Sequence, residues 1–175
     1  VLSEILFYLD AAGAGSARAG WQAALLTFSL IYFVLTAIVL WRIDLREHRL
    51  PDKIVLPAYL GVGIPLWLVC WLNQDIVTMR HMAYGAVFAG GVYFLLRKLS
   101  RNALGLGDVK LAGVIGLMTG YFSPLNLLWA NLLAFLLGGL AALALVVTRR
   151  ASAKTHIAFG PFMLLGALVA VFFPV

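Results

Sequence analysis

Charged side chains in this sequence gather into short clusters, and the stretches between them are almost wholly apolar. Of 175 residues, 63% are hydrophobic and 11% charged, whereas a soluble domain is about half apolar and a quarter charged. So few charges cannot clothe a water-exposed fold, which excludes a disordered chain and a water-soluble enzyme. At about 20 residues per crossing, the apolar length suits roughly five to seven transmembrane helices. We place six, over Trp21–Trp41, Ile54–Leu72, Met82–Leu96, Leu111–Phe122, Leu125–Thr148 and Ile157 to the C-terminus. The expected fold is all-α, a polytopic membrane protein in contact with the lipid bilayer.

Lys and Arg accumulate on cytoplasmic loops. Arg42, Arg46, Arg49 and Lys53 follow the first span; Arg97, Lys98, Arg101 and Lys110 follow the third; Arg149, Arg150 and Lys154 follow the fifth. Only Arg18 and Arg80 fall on the other side. The three basic loops are therefore expected in the cytoplasm and both termini outside it. The net charge of +6 reads as orientation charge, so no nucleic-acid partner is expected. Cys70 is the single cysteine, which allows no internal disulfide and no cysteine-based zinc site. The start of the sequence has no basic segment leading into an apolar stretch and a small-residue cleavage site, so no secretory signal is expected.

Gly85, Gly90, Gly91, Gly116, Gly120, Gly138 and Gly139 lie within spans. Small residues let helices approach closely where lipid supplies no hydrophobic drive to associate, and a tightly packed bundle is the expected consequence. Residues 1–20, apolar over Val1–Leu9 and Ala/Gly-rich over Asp10–Gly20, read as a surface segment and flexible link. Residues 21–175 read as the membrane-embedded unit.

Seven acids remain to be sorted, because a carboxylate at or in a membrane is a functional candidate by default. Glu4, Asp10 and Asp75 fall on the non-cytoplasmic side in polar or unstructured context. Glu47 and Asp52 sit among Arg46, His48, Arg49 and Lys53, where surface pairing is the ordinary explanation. Asp44 lies three residues beyond Trp41, about 4.5 Å further along a continuing helix, at the cytoplasmic interface. Asp108 follows Gly105-Leu106-Gly107 and opens the fourth span, which starts on that same side. Two carboxylates at one depth can share a proton, since both do not ionise easily together. One can then polarise a carbonyl while the other takes a proton from water. Each acid alone also has a plain explanation: Asp108 as a helix cap stabilised by the helix dipole, Asp44 as a salt-bridge partner of Arg42 or Arg46.

Gly105-Leu106-Gly107-Asp108-Val109-Lys110-Leu111 resembles the GxGDxKL signature of the type IV prepilin peptidases, membrane aspartic proteases that trim leader peptides from pilins and pseudopilins. The segment from Asp44 to Pro51-Asp52 is similar to that family's first-aspartate segment, and Phe159-Gly160-Pro161-Phe162 to its C-terminal FGPF stretch. The resemblance implies a catalytic dyad of Asp44 and Asp108, a prepilin or pseudopilin substrate, no cofactor, and a multi-pass protein of the cytoplasmic (inner) membrane with its site facing the cytoplasm. Gly105 and Gly107 would leave room for an extended substrate backbone and give their turn conformational freedom. Lys110 would bias the nearby carboxylate towards ionisation or anchor the interface, and Pro161 would break or kink the last span. Longer family members carry an N-terminal domain with paired CxxC motifs, absent from this sequence, so their second activity, N-methylation, is not expected here.

Rival readings meet specific obstacles. His48, His81 and His156 form no HExxH motif and His81 falls on the opposite side, so no metal site is expected. Presenilin-like proteases share GxGD, but here Ile43 precedes Asp44 where they have tyrosine, and no Pro-Ala-Leu occurs. A small proton-coupled transporter using the two Asp as a relay is the alternative; such proteins place their acids near the midplane.

Overall fold

A computed structural model describes residues 1–100, 104–148 and 158–174, which form seven α-helices with no strand among the described residues. They are α1 (Leu2–Gly13), α2 (Ala17–Glu47), α3 (Asp52–Asn73), α4 (Ile76–Leu99), α5 (Leu106–Phe122), α6 (Pro124–Val147) and α7 (Gly160–Phe172). The six expected spans map in order onto α2 to α7. By length and composition α2, α3 and α6 can each cross a bilayer, and α7 is a shorter apolar helix. The outward faces are apolar too, as at Leu35, Leu60, Val87, Leu132 and Leu143, which suits a bundle whose surroundings are hydrocarbon. The protein is an all-α polytopic membrane protein.

Helix boundaries follow local chemistry. Ser16 accepts the Ala19 N–H at 3.3 Å, Asp75 the Thr78 N–H at 3.0 Å, and Ser123 the Asn126 N–H at 2.9 Å, each satisfying a donor that a helix start leaves free. α2 ends where His48 turns left-handed at φ 52°, three residues before Pro51, which disfavours helix in the residue preceding it. The Ala/Gly-rich stretch read as a flexible link is instead helical on both sides of residues 14–16, because alanine favours helix more than any other residue. α1 packs on α2, and Asn73 joins both, accepting from Gln22 Nε2 at 2.6 Å and donating to Tyr8 Oη at 2.7 Å.

α5 is the hub, packed against α3, α4, α6 and α7 and buried almost continuously from Leu111 to Tyr121. Its contact with antiparallel α4 is made of glycine: Gly85 and Gly116 meet backbone to backbone, and a Cβ on Gly120 would stand 2.7 Å from the His81 carbonyl oxygen. Gly138 is covered by Phe159. Gly91 and Gly139 face open space, so the packing role expected for them does not hold. The last helix begins at Gly160, with Pro161 in its first turn. There a missing N–H breaks no helical bond, so Pro161 starts this helix instead of kinking it. Ile157, the expected start of this span, lies outside the described residues.

Candidate active site

Asp44 arrives at the site as the continuation of a core stripe. Leu26, Leu30, Phe33, Ala37 and Leu40 are buried at three- and four-residue steps along α2, and Asp44 takes the next step at 4% exposure. A carboxylate so placed needs a donor, because an unbonded buried charge is strongly disfavoured. The backbone N–H of Gly160, at the start of α7, donates to Asp44 Oδ2 at 3.1 Å. A side chain at residue 160 would displace this contact, since a Cβ would stand 2.5 Å from the same oxygen.

Asp108 lies in the first turn of α5, before the fourth apolar stretch. Its Oδ2 accepts the Gly105 N–H at 3.1 Å, so the capping role open to it is real, though it is exercised from the third helical position and not from the cap itself. Burial pushes the Asp108 carboxyl up to about 6; the Asp44 charge adds to the rise and the Gly105 N–H opposes it. The two carboxylates thus stand within one another's field at one end of the bundle. Leu50, in the turn after α2, fills the space beside them, in contact range of a Cβ on either Gly107 or Gly160.

The other expected site residues fall nearby with altered parts. At Gly107 the space a side chain would need is taken by this chain's own Leu50, whose Cβ would lie 2.6 Å away. Gly105 is exposed and extended, at φ −65° and ψ 148°, and neither glycine has the positive φ that only glycine readily adopts. Among the described residues Lys110 pairs with neither Asp44 nor Asp108. Its Nζ bonds Asp52 Oδ2 at 2.6 Å, because α3 starts alongside α5, and its carbonyl accepts Tyr59 Oη at 2.7 Å. Glu47 pairs with Arg49 at 2.7 Å. Among the described residues Asp44 joins no ion pair, so the Arg42 or Arg46 bridge is not formed. Also among them, no three His, Cys, Asp or Glu side chains gather around a possible metal ion; His156 lies outside them, as do Arg101, Arg149, Arg150 and Lys154.

Sequence reasoning missed Gly160 as a donor and Leu50 as a filler. The signal for Gly160 was the Gly-Pro pair opening the last apolar run, read only through its proline.

A membrane bundle that brings two acids from distant helices into one field, with a backbone donor on each of them, has the layout of a two-carboxylate acid–base site. Residues 30–171 match the Type IV leader peptidase family, and the chain belongs to it. It is 33% identical over 150 residues to "Prepilin leader peptidase/N-methyltransferase" of Escherichia coli (strain K12), covering 81% of this chain and 60% of that protein. It is 30% identical over 163 residues to the protein of the same description from Pseudomonas putida, covering 86% and 52%. The chain thus spans between half and two thirds of the length of these relatives. No solved structure matches it.

Proposed function

We propose that this chain is a membrane aspartic endopeptidase that removes the leader peptide of prepilins or pseudopilins at the cytoplasmic face of the inner membrane. Asp44 and Asp108 are its catalytic dyad, residues 21–175 its working unit and residues 1–20 a surface segment. What supports the reading is that two carboxylates lie at one end of the bundle within one another's field, one buried and held by a backbone N–H, the other lifted to about 6. Family membership and the relatives' description support the substrate class.

The chemistry needs one proton shared between the two carboxyls. The ionised partner takes a proton from water as its oxygen bonds to the scissile carbonyl carbon, and the protonated partner gives its proton to the carbonyl oxygen. The gem-diol then collapses: one of its hydroxyls gives its proton to the carboxylate that had protonated the carbonyl oxygen, the carbon–nitrogen bond breaks, and the leaving nitrogen takes the proton acquired from water, which leaves the pair with one shared proton again. The pair titrates jointly, so the shared proton belongs to neither residue alone. Arg42, Arg46, Arg49, Arg97 and Lys98 near the same end of the bundle support a cytoplasmic placement. The transporter alternative draws no support from any relative, and both acids lie at helix ends instead of mid-helix.

The test is cleavage of a tagged prepilin, with a basic leader and an apolar mature helix, by the purified protein in lipid vesicles. Asp44→Asn, Asp108→Asn and the double variant should each abolish the cut to about the same degree, because residues acting as a unit lose nearly everything singly. Near-normal cleavage by Asp44→Asn would make it a structural residue.

A further inference from the structure

Tyr93 is 1% exposed, and its hydroxyl makes no hydrogen bond in the structure, among the described residues. A buried hydroxyl without a partner costs roughly 1–3 kcal/mol, so a residue that only filled space would serve better as Phe. The helix register shows at what level along the bundle Tyr93 sits. Along the α4–α5 contact, Gly120 meets His81, Gly116 meets Gly85, and the Val109 carbonyl lies 3.8 Å from a Cβ on Gly90. One turn further along α4 comes Tyr93, level with Asp108, and it lies within electrostatic reach of that carboxylate. The ring is held from the other side: it stacks on Phe135 with centroids 5.6 Å apart and packs 6.2 Å from Phe159. Phe159 precedes Gly160, the donor to Asp44. Tyr93 therefore packs beside Phe159, the neighbour of the donor to Asp44, at the level of Asp108 along α4, and its hydroxyl has no partner among the described residues.

We propose that Tyr93 is a third catalytic residue, whose hydroxyl donates a hydrogen bond to the scissile carbonyl oxygen as it gains charge during attack. A donor fixed by ring stacking and left unpaired until substrate arrives is preorganised for the transition state. The role rests on the reading of Asp44 and Asp108 as the dyad.

Tyr93→Phe removes one oxygen and keeps the ring. Its kcat for the prepilin should fall about 100-fold with KM within about threefold, as for loss of a single oxyanion donor. The variant should also accumulate normally and unfold at the same or a higher temperature, since an unpaired buried hydroxyl is gone. A kcat within about threefold of the parent, or a raised KM with kcat kept, would overturn the proposal. So would failure to accumulate, because an idle hydroxyl cannot be holding the fold. Asp44→Asn and Asp108→Asn run beside it: cleavage retained there defeats the dyad, whereas cleavage lost there and kept in Tyr93→Phe defeats only the part given to Tyr93.

Discussion

The N–H of Gly160 donates to Asp44 Oδ2 at 3.1 Å across 116 positions of sequence. It fixes a carboxylate at the end of α2 against the first turn of α7. A helix N-terminus offers free N–H groups and a positive dipole end, so α7 serves Asp44 as an anion holder. Gly160→Ala should therefore impair cleavage more than stability. Alanine favours helix over glycine, but its Cβ would reach 2.5 Å from the carboxylate oxygen and force it aside. The expected outcome is a loss of cleavage of at least about 10-fold, as when a catalytic group is slightly misplaced, with normal membrane accumulation. Unchanged turnover would show that the orientation of Asp44 is set elsewhere.

The raised carboxyl of Asp108 makes a statement about stability. Its folded value of about 6 lies above the ordinary 3.8, so between those values the folded protein holds more protons than the unfolded chain. Stability then falls as pH rises through that window. Asp108→Asn removes the effect. In detergent, this variant should melt above the parent at pH 7, and the gap should close towards pH 4. A gap independent of pH would mean the Asp108 carboxyl is not raised by folding.

Much of this arrangement is legible in the sequence. The three- and four-residue spacing from Leu26 to Leu40 points at Asp44 as the next core position, and Ser123-Pro124 marks the start of α6 to the residue. A backbone donor leaves no trace of that kind: at Gly160 only the absent side chain matters, and that is also what a plain turn would need. Lys110 misled for a different reason. A long flexible cation pairs according to three-dimensional placement, which sequence does not show, and the packing of α3 on α5 brings it Asp52.

That choice predicts a mild phenotype. The Lys110–Asp52 pair is partly exposed, 35% and 54% at the side chains, and such pairs contribute about 0–1 kcal/mol. Lys110→Met should keep cleavage within about threefold, on the scale of an exposed ion pair, and leave the pH profile in place. A shifted acid limb would return Lys110 to the electrostatics of the dyad.

Sidedness can be read with single cysteines in a Cys70→Ser background, Cys70 being buried and the one native thiol. Arg46 lies half a turn past Asp44 in the final turn of α2, whereas Gln74 caps the far end of α3 in a left-handed turn. One is at the end of the bundle that holds the carboxylates, the other at the opposite end, where Asn73 joins Gln22 and Tyr8. In intact cells an impermeant thiol reagent should label Gln74→Cys and spare Arg46→Cys until the membrane is opened. Labelling of Arg46→Cys from outside would put the dyad on the wrong face for a substrate whose basic leader stays in the cytoplasm, because moving such a leader across would bring several cations through hydrocarbon at roughly 2.5–3.5 kcal/mol each.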